Sequence, residues 1–328
     1  MIYFWILVFV LSVGALIKGA DWFTVSAERI GLALGLTPFI VGVTIVGAGT
    51  SFPELISSMA GALRGVTDIV AANVIGSNIA NILLIVGLAS VFAKKLTVSK
   101  NLIDLDIPLL AASTALLLGV VWDQTVTFGE GVLLVIVYCV YLTYTVVHVD
   151  DEVEVAVLPS RVTRREHIVQ PQQLVTVRPT LRFFDIGMLV LGLLVLIVSA
   201  KYLIDSLIAL SSLTGIAVGV ISITAVAVGT SLPELIVSLR AAMRGKTEVA
   251  LGNIFGSNVF NGLIVLGFPG LFRQLHVDDQ TFMIGVPTLI VATLLFVISG
   301  ISRRIHMWEG AFFVAIYVLF VSKLFGWL

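Results

Sequence analysis

Long apolar runs, separated by short clusters of charged and turn-forming residues, fill most of the chain, and within the runs apolar and polar positions do not alternate. Without a period of two these runs read as helices rather than strands, and most approach the ~20 residues a helix needs to cross a ~30 Å hydrocarbon core. Spans are predicted near 2–17, 37–63, 69–92, 103–121, 126–147, 183–204, 214–242, 248–272, 282–300 and 306–325, ten in all. The opening MIYFWILVFV lacks the basic leader of a signal peptide and no convincing small-residue cleavage site follows, so the first run is read as a mature helix. One long polar stretch, 148–182, begins acidic (Asp150, Asp151, Glu152, Glu154), turns basic and contains Pro159, Pro171 and Pro179. It reads as a linker between a first half, 1–147, and a second, 183–328.

Composition removes the soluble alternatives. The 328 residues would ordinarily suggest two globular domains, but 59% are apolar, 12% are charged and the mean hydropathy is +1.11, against about 25% charged in a soluble domain. So few charges cannot cover a water-facing surface, which excludes an ordinary soluble enzyme and a disordered chain. A net charge of −1 supplies no basic field for nucleic acid. The single cysteine, Cys139, excludes an intramolecular disulfide and any multi-cysteine metal site. The expected fold class is therefore an all-α polytopic membrane protein. With ten spans, the loops after odd-numbered helices hold 15 of the 19 Lys and Arg residues, Lys18 and Arg29 among them, and the opposite side holds Arg64, Lys201, Arg273 and Lys323. Basic loops accumulate in the cytoplasm, so the linker is expected there and both termini outside.

The two halves carry a repeat. Residues 44–87 overlay 224–267 without a gap at an offset of 180, and 21 of the 44 positions are identical. Five spans per half, an odd number, make the second copy enter the membrane from the opposite side. Inverted repeats of this kind build a midplane site from two half-sites in secondary transporters.

The most similar segments are GAGTSFPELISS (47–58) and AVGTSLPELIVS (227–238). Each sets a glutamate, Glu54 or Glu234, in an apolar span, where an ionisable group is costly unless paired or solvated by a cavity. Each glutamate follows a proline, Pro53 or Pro233, that lacks an N–H and should kink or break the helix, freeing carbonyls of Gly47 to Thr50 and of Ala227 to Thr230. A packing kink alone would also explain the Gly-Thr-Ser-x-Pro pattern, but not the paired glutamates. On the following helices, NVIGSNIAN (73–81) and NIFGSNVFN (253–261) put Ser77 with Asn81, and Ser257 with Asn261, four residues apart on one face. Asn73 and Asn253 lie one turn earlier on that face. For these two, and for Asn78 and Asn258, helix-to-helix hydrogen bonding is an equally open reading.

Together the half-sites offer carboxylates, hydroxyls, amides and carbonyls, with neither thiol nor imidazole. His148, His167, His276 and His306 all fall in loops or at span ends. An all-oxygen set suits hard cations, and two glutamates balance one Ca2+. The stretch Gly245-Lys246-Thr247 has Arg240 where a phosphate-binding loop needs glycine, and neither HExxH nor GxSxG occurs. No enzyme activity and no nucleotide are expected. An ion gradient, or a passive cation pore, is left.

These residues resemble the alpha-repeats of the calcium/cation antiporter superfamily, in particular its prokaryotic sodium/calcium-exchanger-like branch. The resemblance covers essentially the whole chain, with GTSxPE in both halves and GSNxxN on the helix after each. It implies a Ca2+ site held by Glu54, Glu234 and the carbonyls of Thr50 and Thr230. It also implies monovalent-cation sites using Ser51, Ser77, Ser231, Ser257 and the carbonyls of Gly47 and Ala227, with Asn81 and Asn261 lining them. Alternating access would follow from the first and sixth helices sliding over the ligand-bearing core, in a prokaryotic plasma (inner) membrane. A monomer without cofactor is expected, partnered by inorganic cations and the lipid bilayer. One departure bears on coupling: an archaeal sodium-coupled relative carries aspartate where Asn261 stands. With two carboxylates, Ca2+ or two protons leave the site neutral and three Na+ leave it positive. Na+ is expected as counter-ion ahead of H+.

Overall fold

The computed structural model describes residues 2–97, 106–147, 180–214 and 231–326. Two helices of 32 residues each, α1 (Ile2–Ala33) and α9 (Phe183–Thr214), lie against one another. Glycines bring their backbones together: a Cβ on Gly192 would stand 2.6 Å from the Phe23 nitrogen, and one on Gly19 would stand 3.1 Å from that of Leu196. Small residues at such crossings are how helices associate where lipid offers no hydrophobic drive.

Both helices outrun their predicted spans, 2–17 and 183–204, and Lys18 and Arg29, expected in a loop, lie within α1. For α1 the reason is electrostatic. The second half of α1 is amphipathic, and its acidic edge is matched by basic groups. Asp21 accepts from Arg240 (Nε 3.1 Å, Nη2 2.8 Å) and from Arg244 (2.7 Å), Glu28 pairs with Lys246, and Arg29 reaches Asp185 of α9 at 3.3 Å. Charge interrupts the apolar run there without interrupting the helix.

After a turn, Thr37 caps α2 (Pro38–Val41), with Pro38 at the first helical position where its missing N–H is harmless. A π-helical segment (Gly42–Val46), α3 (Gly47–Thr50) and, beyond Ser51, α4 (Phe52–Leu63) complete this crossing. Next come α5 (Asp68–Ile79), a π segment (Ala80–Val86), α6 (Gly87–Ala93), α7 (Ile107–Val120) and α8 (Phe128–Val147). After α9 the chain continues with α10 (Leu232–Met243), α11 (Thr247–Phe260), a π segment (Asn261–Val265) and α12 (Leu266–Gly270). A further π segment (Thr281–Gly285), α13 (Val286–Ile301) and α14 (Met307–Leu324) end the fold.

Among the described residues eight helical stretches are long and apolar enough to cross a membrane, and α7 is a shorter apolar helix. The span predicted near 214–242 falls largely on 215–230, and the linker almost wholly on 148–179, outside the described residues. Two small strand pairs amend the all-helical expectation. β1 (Lys95–Thr97) runs antiparallel to β4 (Arg304–His306), and β2 (Thr125–Val126) runs antiparallel to β3 (Leu275–His276). Strands of two or three residues are too short to show a period of two. Their register nevertheless follows the repeat: Lys95 pairs with His306 and Val126 with Leu275, so the offset of 180 exchanges one pair for the other.

The core is α11, buried at every position from Val249 to Phe260. The α2–π–α3 crossing lies on it backbone to backbone. A Cβ on Gly256 would stand 2.1 Å from the Val43 carbonyl oxygen, and one on Gly252 would stand 2.4 Å from that of Phe39. This contact brings the first glutamate-bearing segment against the second half of the chain.

Candidate cation site

Position 53 has no N–H, so the carbonyl of Gly49 has no helical donor four residues on. The helix turns at Ser51 (φ −86, ψ 5) and restarts with Phe52, which places Pro53 and Glu54 in the first turn of α4. The same turn occurs at Ser231 (φ −86, ψ 7), ahead of Pro233 and Glu234 in α10. The break is tighter than the sequence reading expects. The Gly47 carbonyl is not freed: it accepts the Ser51 N–H at 3.2 Å and the Ser257 hydroxyl at 3.3 Å.

Each break reaches across to the other glutamate. Ser51 Oγ donates to Glu234 Oε1 at 2.9 Å, and Ser231 Oγ donates to Glu54 Oε1 at 3.4 Å. Both glutamates are 1% exposed, and among the described residues Glu234 has no ion-pair partner and its Oε2 no hydrogen-bond partner. A buried carboxylate without a cationic partner is strongly unfavourable, and a cation or a proton resolves it.

Of the polar residues expected on the following helices, Ser257 reaches this group directly, at the Gly47 carbonyl and the Thr50 hydroxyl. Ser77, Asn81, Ser257 and Asn261 are all buried, and π-helical turns cover Asn81 and start at Asn261. Such turns interrupt the regular ladder and recur at functional sites. Both polar atoms of the Asn81 and of the Asn261 amide lack a partner among the described residues. Thr50 Oγ1 lies 3.1 Å from Asn253 Oδ1 and 3.4 Å from Ser257 Oγ. Thus Gly47, Thr50, Ser51, Ser257 and Glu234 are linked in one hydrogen-bonded group, and Ser231 with Glu54 forms its counterpart. Ala227 and Thr230 lie outside the described residues.

Asn73 and Asn253 do other work. Asn73 Nδ2 donates to Ser58 Oγ at 3.0 Å and to the Glu54 carbonyl at 3.4 Å. Asn253 Nδ2 donates to Ser238 Oγ at 2.8 Å and to the Glu234 carbonyl at 3.4 Å. Of the two open readings, helix-to-helix bonding is the one observed, and it grips the glutamate-bearing turns. The part played by Ser58 and Ser238 was not foreseen, although their identity in both repeats was the available signal. Asn78 Nδ2 donates to the carbonyl of Asn258, its repeat mate, at 3.2 Å. The donors assembled here are all oxygens or amides, and no group of three or more His, Cys, Asp and Glu occurs among the described residues. Hard-cation chemistry is what such a set can perform.

Comparison with known proteins agrees. The family model described as sodium/calcium exchanger protein matches residues 4–147 and 184–326. The chain is 32% identical to the sodium/calcium exchanger MaX1 of Methanosarcina acetivorans, over 97% of this chain and 98% of that protein. It is also 32% identical to the putative antiporter CaxA of Alkalimonas amylolytica, with 95% of each covered. Among solved structures it is similar to the sodium-calcium exchanger NCX_Mj soaked with 10 mM Na+ and zero Ca2+, with a TM-score of 0.80, 29% identity and coverage of 99% of this chain and 100% of that one. With its two matched halves, its paired glutamates and its helical fold, the chain belongs to the sodium/calcium exchanger protein family.

Proposed function

We propose that this chain exchanges Ca2+ for Na+ across the membrane by alternating access. The observation that carries the reading is the reciprocal pair Ser51–Glu234 and Ser231–Glu54, which joins the two repeats at their helix breaks. In this reading Glu54, Glu234 and the carbonyls of Thr50 and Thr230 hold Ca2+. Ser51, Ser77, Ser231, Ser257, Asn81, Asn261 and the carbonyls of Gly47 and Ala227 line the monovalent sites. Ten spans form two inverted five-helix repeats, 1–147 and 183–328, joined by the cytoplasmic linker 148–182, with both termini outside a prokaryotic plasma membrane. The chain acts as a monomer without cofactor or nucleotide, and its partners are inorganic cations and the bilayer. Membership of an exchanger family supports cation transport, and the long packed pair α1–α9 supports a sliding element beside the core.

Proton coupling is the second reading, favoured by one observation: the partnerless positions Asn81 and Asn261 are amides, so the described core of the site carries two carboxylates and no third. Radioactive Ca2+ uptake into proteoliposomes separates the readings. An outward Na+ gradient at equal pH should drive uptake. Uptake driven only by an inside-acid pH gradient without Na+ would establish proton exchange, and uptake with neither would overturn Ca2+ antiport.

A further inference from the structure

The hydrogen bonds of Asn253 go beyond gluing two helices together. This side chain is fully buried on α11 and meets groups from both repeats at once. Its amide nitrogen serves Ser238 Oγ at 2.8 Å and the Glu234 carbonyl at 3.4 Å, while its oxygen faces Thr50 Oγ1 at 3.1 Å. The orientation is fixed by chemistry, because a main-chain carbonyl can only accept and must face the amide nitrogen. In that contact Thr50 is the donor, and the Gly47 carbonyl at 3.4 Å is a second acceptor within reach of its hydroxyl. Either way the contact joins the first repeat's break to α11, across the two halves of the chain.

We propose that Asn253 is a positioning residue for the cation site, which clamps the first turn of the Glu234 helix through its amide and ties Thr50 of the other repeat to that helix through its carbonyl. The inference rests on the reading of Glu234 and Thr50 as cation-site residues. It goes beyond that reading because Asn253 is not among the residues assigned there as cation ligands. The other repeat has the amide half of the device: Asn73 Nδ2 grips Ser58 Oγ and the Glu54 carbonyl at 3.0 and 3.4 Å. The geometry has a reason. Ser231 stands at the N-terminal end of α10, and Glu234 lies three residues beyond it, so a small rotation at Ser231 would swing the carboxylate away from Ser51. A tie from the neighbouring helix at the level of Glu234 and Ser238 prevents that rotation.

The test uses the full chain in proteoliposomes, with radioactive Ca2+ as the probe, and compares wild type with Asn253→Ala, Ser238→Ala and the double variant. Removing outer groups that orient ligands typically weakens metal binding about 10- to 100-fold. Asn253→Ala should therefore raise KM for Ca2+ by about that factor, with a smaller change in maximal rate. Ser238→Ala, which deletes one acceptor and leaves the fold's apolar packing intact, should raise KM less. The double variant should be no worse than Asn253→Ala, because both changes release one clamp. A KM for Ca2+ equal to wild type in Ser238→Ala and in folded Asn253→Ala, or effects that multiply in the double variant, would overturn the proposal while leaving Ca2+ transport standing. If wild type itself takes up no Ca2+ under either gradient, the transport reading fails and this one fails with it.

Discussion

Glu54 and Glu234 each accept a serine hydroxyl donated by the opposite repeat, and glutamine would accept the same bond through its own carbonyl oxygen. Glu54→Gln and Glu234→Gln therefore remove a charge while keeping the local geometry. Either change should abolish Ca2+ uptake and leave the unfolding midpoint of the purified protein near that of wild type. Ligand linkage gives a second readout: Ca2+ at about 100 times its Kd should stabilise wild type by about 2.7 kcal/mol and stabilise neither variant. Residual Ca2+ flux in both variants would place the ion elsewhere. These two carboxylates were legible in the sequence because the repeat prints them twice in one context, beside prolines that must disturb a helix. The cross-repeat serine bonds and the grip of Asn73 and Asn253 on the glutamate turns were not. Sequence spacing gives the face of a helix, but distance across two helices depends on how they pack.

At the scale of elements, close packing of backbones accounts for the position of the site. The α2–π–α3 segment touches α11 through glycines, and Gly256→Ala would put a methyl group 2.1 Å from the Val43 carbonyl oxygen. No flexible side chain can yield there. The helices must part, at about 1–3 kcal/mol for overpacking of this kind, and the separation would shift Gly47 and Ser51 away from Ser257 and Glu234. A lowered unfolding midpoint together with weakened Ca2+ stabilisation is the expected result, read by intrinsic tryptophan fluorescence. Ion pairs act on α1 in a different way. Asp21 is 16% exposed and shared by Arg240 and Arg244, which are 30% and 40% exposed, so screening leaves the pairs at most about 1 kcal/mol. Asp21→Asn should lower stability by no more than that in dilute salt, and the difference should vanish in molar salt, where charges are screened within about 3 Å. A salt-independent deficit would assign the role of Asp21 to packing. The span pattern was legible at this scale because apolar runs of membrane length are hard to imitate. The extensions of α1 and α9, the π turns and the two strand pairs were hidden, since they depend on partners distant in sequence.

At the scale of the whole molecule, the offset of 180 residues relates the glutamates, the break serines, the clamping asparagines and even the strand registers. The charges do not follow it. All four ion pairs found among the described residues fasten α1 at its C-terminal half, to α9 or to the α10–α11 corner, and the position one repeat on from Asp21 is Lys201. The paired glutamates and serines follow the repeat while their surroundings do not, so on the proposed reading the electrostatics of a bound ion depend chiefly on two carboxylates. Metal ligands must be deprotonated to bind, and binding releases whatever protons they hold. The sign follows directly: as pH falls, protons occupy Glu54 and Glu234 in competition with Ca2+, and apparent Ca2+ affinity falls with it. Titration calorimetry in buffers of different ionisation enthalpy should detect up to two protons released per Ca2+ bound, with the number growing toward acid pH. In Glu54→Gln, which should not bind Ca2+, neither the binding heat nor the proton release should appear. An affinity unchanged on acidification would mean that the glutamates do not hold the ion. Proton release that persists unchanged in saturating Na+ would argue that Na+ does not occupy the same carboxylates, and would favour protons as the exchanged ion.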